Sequence, residues 1–201
     1  MRAICDRVAT HLDLNGVPVT DPFLPLVIQD MLDDPVFDVR LCAMFQLYST
    51  PYRAAVATVL GAELRTVLRL RGNQQSIESL LESLRVLGGE PERALIELLL
   101  IQRDVVPQVR DMAAYALGHI GGRSSDALFR EAARGAVRRW VRDHDDYESS
   151  VLDRLVYAIG MSRQHHLLPE FLRDPDMPDR VRVAARWWLG LPSHLLRSAA
   201  S

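Results

Sequence analysis

The sequence predicts an all-α protein, an α-solenoid of about five helix pairs with terminal capping helices, on three observations. Ala, Leu, Val and Arg dominate while aromatic residues make up only 6%, a balance that suits helices packed through small and aliphatic side chains better than a strand-rich core. The pattern Asp-x4-Val-Arg-x2-Ala-x3-Leu recurs along the chain, and a fixed recurrence of this length is the mark of a repeat architecture. A second helical stretch precedes each copy, so the repeating unit is a pair of helices, which cannot bury its apolar face until a neighbour stacks on it.

The elements follow in order, in one domain over residues 1–201 with no linker long enough to divide it. Residues 1–19 read as an N-terminal cap. The first pair, 20–49, opens at Thr20-Asp21-Pro22, places a helix over 22–32 and continues into Asp34 to Leu47, with Val39, Arg40 and Ala43 on the pattern. The second pair, 50–88, opens at Thr50-Pro51 with a helix over 52–70; its faint second helix, 74–88, ends Leu84-Arg85-Val86-Leu87-Gly88. The third, 89–121, has a helix over 90–103 and then Asp104 to Leu117 with Val109, Arg110 and Ala113. The fourth, 122–161, has a helix over 124–142 and a faint copy from Asp146 through Val151 and Leu155 to Ile159-Gly160, where Leu152 replaces the Arg. The fifth, 162–191, has a helix over 165–173 and then Asp176 to Leu189 with Val181, Arg182 and Ala185; residues 192–201 cap the end. Thr-Asp-Pro, Thr-Pro and the Gly-Gly pairs at 88–89 and 121–122 fall between helices, as turn chemistry requires.

These residues resemble HEAT repeats, especially the short bacterial form. The likeness is clearest from Asp104 to Gly122, with Val109-Arg110, Ala113-Ala114 and Leu117-Gly118, and again in Leu168-Pro169 followed by Asp176 and Val181-Arg182. It covers most of residues 20–191, strongly in three copies. The resemblance implies a scaffold that binds partners, since the family carries many functions on one architecture. It also implies that Asp34, Arg40, Asp104, Arg110, Asp176 and Arg182 form a structural ladder, each Asp neutralising its Arg, and not a row of substrate-binding arginines.

Helix geometry then identifies a face for binding. With the repeat Ala at zero and about 100° per residue, the repeat Val and Leu fall at about −40° and +40° and complete a buried stripe. The position five after the repeat Arg falls at about 200°, away from that stripe. Repeat by repeat it reads Phe45, Arg85, Tyr115, Tyr157 and Trp187. Four aromatics at one outward position, in a chain with 5 Phe, 3 Trp and 5 Tyr, point to an aromatic-lined groove, since second helices of HEAT stacks resemble a concave inner wall. Exposed apolar stripes mark contact surfaces and large aromatics carry much of their energy; the plainer reading packs the rings against adjacent repeats as core. Asp111 and Asp153, one position beyond the repeat Arg or its equivalent, add polar selectivity.

A second candidate surface lies on the helix from Ser124, where Arg130, Arg134, Arg138 and Arg142 recur every four residues beside Arg139 and Trp140. That spacing puts the guanidinium groups on one face, suited to an anionic ligand; the plainer reading is a solvated face with positive charge at a helix C-terminus. All 24 basic residues are Arg, yet net charge is −2, which disfavours a surface wholly built for nucleic acid or anionic membrane.

The expected function is non-catalytic binding of a protein partner as a scaffold, adaptor or regulatory module. Nucleic-acid binding is the alternative, including HEAT-like alkylpurine DNA glycosylase activity, which Trp187, Tyr157 and Asp153 loosely imitate but which needs more positive charge than a groove holding Asp111 and Asp153 supplies. The phycobilin-lyase branch is a further analogy without a recognisable chromophore site. No Gly-rich phosphate loop, nucleophile elbow or paired metal-ligand motif occurs, so no cofactor and no metal are expected. His165 and His166 are adjacent and diverge by about 100° on a helix, and the acidic run Asp143 to Asp146 suits a helix cap. Cys5 and Cys42 lack metal spacing, Cys42 falling in an apolar run as a small hydrophobe. The charged N-terminus and the lack of an 18-residue apolar run point to a cytoplasmic protein without membrane attachment.

Overall fold

The computed structural model describes residues 28, 36–48, 50–102 and 104–190. The N-terminal cap, the helix over 22–32 but for Ile28, Asp34 and the C-terminal cap lie outside the described residues. Those that are described are helical, with no strand among them: α1 (Phe37–Tyr48), α2 (Arg53–Arg69), α3 (Gln74–Leu87), α4 (Glu90–Ile101), α5 (Pro107–Ile120), α6 (Asp126–Asp143), α7 (Asp146–Met161), a short turn His165–Leu167, α8 (Leu168–Arg173) and α9 (Asp179–Gly190). The all-α class therefore stands. No helix among these residues is long and apolar enough to cross a membrane.

The helix starts have local causes. Asn73, Ser125 and Asp145 each accept a hydrogen bond from a first-turn amide, Ser76 at 2.7 Å, Leu128 at 3.1 Å and Tyr147 at 2.9 Å, satisfying donors that the helix itself leaves open. Pro107 opens α5, where its missing N–H costs nothing. In the strong repeat copies the helix begins three residues after the pattern's Asp: Phe37 after Asp34, Pro107 after Asp104 and Asp179 after Asp176. In the faint copy α7 begins at Asp146 itself, with Asp145 as its cap. Gly121 stops α5 at φ +79°, a left-handed conformation in which a side chain would be strained.

The chain forms two compact units, Met1–Glu92 and Arg93–Ser201, divided within α4. In the first, α2 packs along α3 and α1 against α3. In the second, α5 packs extensively on α7, α6 on α7, α9 on α7 and α8 on α9. Each unit thus lays second helices of successive pairs beside one another.

The buried stripe forms as the repeat geometry requires. Ala43, Leu47, Val109, Ala113, Leu117, Val151, Leu155, Ile159, Val181 and Ala185 are all buried. Each fully buried aliphatic side chain contributes about 1.5–3 kcal/mol relative to exposure. Val39 and Leu189, at the outer copies, are exposed instead. Cys42, expected inside, lies on the exposed side of α1.

The Asp–Arg ladder takes a different form from the expected one. Arg110 is 2% exposed and donates to the Val105 carbonyl in its own turn and to Glu148 at the start of α7; its acid is Glu148, not Asp104. Arg139 of α6 donates to the same Glu148 oxygen at 2.7 Å. Arg182 donates to the Asp174 and Pro175 carbonyls at 2.9 and 2.7 Å and pairs with Asp179 at 3.0 Å, not with Asp176. In both helices the arginine ties down the preceding turn, its planar set of donors meeting backbone carbonyls there as well as a carboxylate. Burial lowers the Arg110 pKa, against the pull of Glu148.

A further arginine device joins the two helices of a pair. Arg53 donates to the Leu87 and Gly88 carbonyls at 3.1 and 2.9 Å. Arg93 likewise donates to the Gly121 carbonyl and, at 3.0 Å, to the Ser124 hydroxyl. Both arginines occur in Pro-x-Arg-Ala, Pro51 to Ala54 and Pro91 to Ala94, and both hold the Gly-Gly turn that ends the following helix.

Candidate functional site

The outward column is divided between the units: Phe45 and Arg85 belong to Met1–Glu92, and Tyr115, Tyr157 and Trp187 to Arg93–Ser201. Phe45 on α1 is 54% exposed. Arg85 on α3 is half-buried and forms a bidentate pair with Glu82 one turn earlier, at 3.0 and 2.6 Å.

In the second unit the column becomes a cluster of touching rings. Tyr115 on α5 and Tyr157 on α7 have centroids 5.6 Å apart, and His119, one turn after Tyr115, meets them at 4.5 and 5.4 Å. The His119 Nδ1 lies 3.1 Å from the Tyr115 carbonyl. A carbonyl can only accept, so Nδ1 faces it as the donor, and Nε2 lies 3.4 Å from the Tyr157 hydroxyl. On α9, Trp188 lies 6.2 Å from Tyr157 and 5.1 Å from Trp187, and His165 lies 6.0 Å from Trp188. Tyr115 and Tyr157 are half-buried, whereas Trp187 is 59% exposed.

Helix spacing explains the continuity. Gly118 lies against Tyr157 and Gly160 against Trp188, so the missing β-carbons make the seats for the rings of the next helix. The ring seated on Gly160 is Trp188, one residue beyond the column position, and this turns Trp187 outward.

Asp111 and Asp153 are held by the neighbouring helix. Asp111 accepts from the Ser150 hydroxyl at 2.7 Å, with Arg154 3.7 Å away. Arg154 in turn lies over the Tyr115 ring, 4.1 Å from its centroid, a cation–π contact worth about 0.5–1 kcal/mol at an exposed site. Asp153 pairs with Arg180 at 2.9 Å. Burial raises the Asp153 pKa, Arg180 and Arg154 opposing the shift.

His119, Arg154 and Trp188 escaped the sequence reading. The signals were present: His119 stands four residues after Tyr115, Trp188 directly after Trp187 and Arg154 directly after Asp153. Together they make a surface of flat rings rimmed by hydroxyl, imidazole and guanidinium groups, a combination suited to contact with another macromolecule.

On α6 the four arginines separate in role. Arg130 binds Glu170 of α8 through Nε at 2.9 and 3.0 Å, and Arg142 binds the adjacent Asp143 at 2.7 and 2.6 Å. Arg134 and Arg138 are exposed and have no ion-pair partner among the described residues. His166, at the turn before α8, lies 2.6 Å from Asp126. No group of three or more His, Cys, Asp and Glu among the described residues could hold a metal ion.

No family model matches the chain, no curated protein matches it, and no solved structure matches it.

Proposed function

We propose that the helix pairs form a HEAT-like α-solenoid and that the chain is a non-catalytic scaffold or adaptor of the cytoplasm, binding a protein partner through its aromatic surface. The observation that supports this reading most is the continuous ring cluster Tyr115–His119–Tyr157–Trp188–Trp187, with Trp187 left 59% exposed at its edge. Its carboxylates, Asp111 and Asp153, are occupied by Ser150, Arg154 and Arg180. Phe45, exposed on α1, and Arg85 on α3 are the corresponding positions of the other unit.

The test is affinity capture from the native lysate at low and moderate salt, wild type beside a Tyr115→Ala/Tyr157→Ala variant and a Trp187→Ala variant. A protein retained by wild type at both salt concentrations and lost by both variants supports the reading. Nucleic acid retained equally by all three, and released by salt, overturns it in favour of the Arg134 and Arg138 face.

A further inference from the structure

The Arg93–Ser201 unit contains a second recess, none of whose lining residues belongs to the ring cluster. It is a partly open cleft of about 90 Å³ beside α6 and α8. Its floor is apolar, with Phe129, Val137, Phe171 and Met177 all buried beneath it. Its rim is charged: Arg130 and Arg134 on the α6 side, Glu170 and Asp174 on the other.

The rim charges are not all matched. Arg130 is held by Glu170 in a bidentate pair that also ties α6 to α8. The Asp174 carboxylate accepts the Asp176 amide at 3.0 Å. Arg134, on the rim, and Arg138, one turn further along α6, have no counter-ion among the described residues. The chain therefore presents an apolar floor beside two unmatched guanidinium groups, spaced about 6 Å apart along the helix axis.

That combination selects among ligands. A phosphate backbone would satisfy the arginines but leave the apolar floor unused. A purely apolar segment would fill the floor and bury Arg134 without a partner, at substantial cost. An amphipathic helix with acidic residues at i and i+4 repeats the α6 spacing, so two carboxylates can each meet a guanidinium fork. An apolar residue of the same helix then reaches the floor, as anchors do in helix-in-groove recognition.

We propose that this cleft binds an acidic amphipathic helix of a partner protein, seating an apolar anchor between Phe129 and Phe171 and two carboxylates, one turn apart, on Arg134 and Arg138. The site is separate from the ring surface and does not depend on it. A Tyr115→Ala/Tyr157→Ala variant therefore retains cleft binding, which separates failure of one reading from failure of the other.

The experiment is selection of a displayed library of helical peptides on the full chain, with counter-selection on Arg134→Glu/Arg138→Glu. Both substitutions are at exposed positions, and circular dichroism and a melting curve verify folding. The expected result is enrichment of peptides carrying an apolar anchor and carboxylates four residues apart. A synthetic peptide of that sequence loses about tenfold or more in affinity for the charge-reversed variant and regains part of it when its carboxylates are exchanged for Lys. Ala133→Phe, which fills the cleft, abolishes binding of the original peptide. Three results would overturn the proposal: no enriched peptide, enriched peptides indifferent to the charge reversal, or single-stranded DNA binding more tightly than any peptide through the same arginines with a steep salt dependence.

Discussion

Tyr157 occupies the space left by the absent side chain of Gly118. A β-carbon built on Gly118 would stand 2.6 Å from the ring Cε1 and 3.3 Å from the Ala158 backbone, and Gly160 bears the same relation to Trp188 at closer range. One glycine per helix thus sets how near the next helix and its ring can approach.

Replacing Gly118 or Gly160 by Ala should destabilise the protein, although Gly→Ala within a helix ordinarily stabilises by about 1 kcal/mol. The clash with a packed ring outweighs that gain, with overpacking costing about 1–3 kcal/mol. Chemical denaturation measures the loss. Gly160→Ala should also shift the tryptophan emission, since Trp188 must leave its seat. Unchanged emission together with higher stability would show that the ring is not seated there.

Arg110 and Glu148 are each 2% exposed and bind one another between α5 and α7. Glu148→Leu strands Arg110 and takes the counter-ion from Arg139, so a loss of about 3–5 kcal/mol is expected. Arg110→Met/Glu148→Leu removes both buried charges and should be less damaging than the sum of the single changes. A double-mutant cycle in urea reads this coupling, and additive losses would refute the pairing.

Arg93 is buried while Arg53 is half-buried, yet they hold equivalent turns. Arg93→Ala takes the donor from the half-buried Gly121 carbonyl and from the buried Ser124 hydroxyl, costing about 1–3 kcal/mol. Arg53→Ala should cost less, because the half-buried Arg53 side chain leaves a space open to water when it is removed. Arg93→Lys should recover only part of the loss, since an ammonium lacks the guanidinium fork. Urea midpoints of the three variants decide the ranking.

Asp126 and Asp153 should show opposite pH dependence. Hydrogen bonds from His166, then from Gln164, lower the Asp126 pKa, so its contribution is present above the unfolded-state pKa and is lost as pH falls through the folded value. Burial raises the Asp153 pKa, so its favourable contribution exists at acid pH and is lost as pH rises through the folded value. Asp126→Asn should therefore be most harmful near neutral pH and converge on wild type in acid. Asp153→Asn should gain on wild type as pH rises from acid to neutral. Melting temperatures across that range test both signs, and parallel trends would refute the assignment.

The sequence by itself determined the helical class and the alternation of helices and turns, because both rest on local physics. The period of apolar residues, the caps Asn73, Ser125 and Asp145, and the Gly-Gly turns act within one or two turns of chain. For the same reason the buried stripe from Val109 to Leu117 and from Val151 to Ile159 could be read from spacing alone. That Tyr115 and Tyr157 share a surface also followed from helical geometry, and the structure brings them together.

Only the tertiary structure decided which partner each charged group takes. Arg110 reaches Glu148 across 38 residues, and Asp111 reaches Ser150 across 39; nothing in local spacing distinguishes them from Asp104 or from a free surface acid. It also decided which of two adjacent tryptophans turns inward. A step of one residue rotates a side chain by about 100°, and the depth of the seat on Gly160, a property of two helices in contact, selects Trp188 and leaves Trp187 to solvent. Likewise Arg130 and Arg134 are equivalent in sequence, but only Arg130 lies where α8 presents Glu170. Long-range electrostatics and packing depend on how helices approach, and that distance is set by the small residues between them.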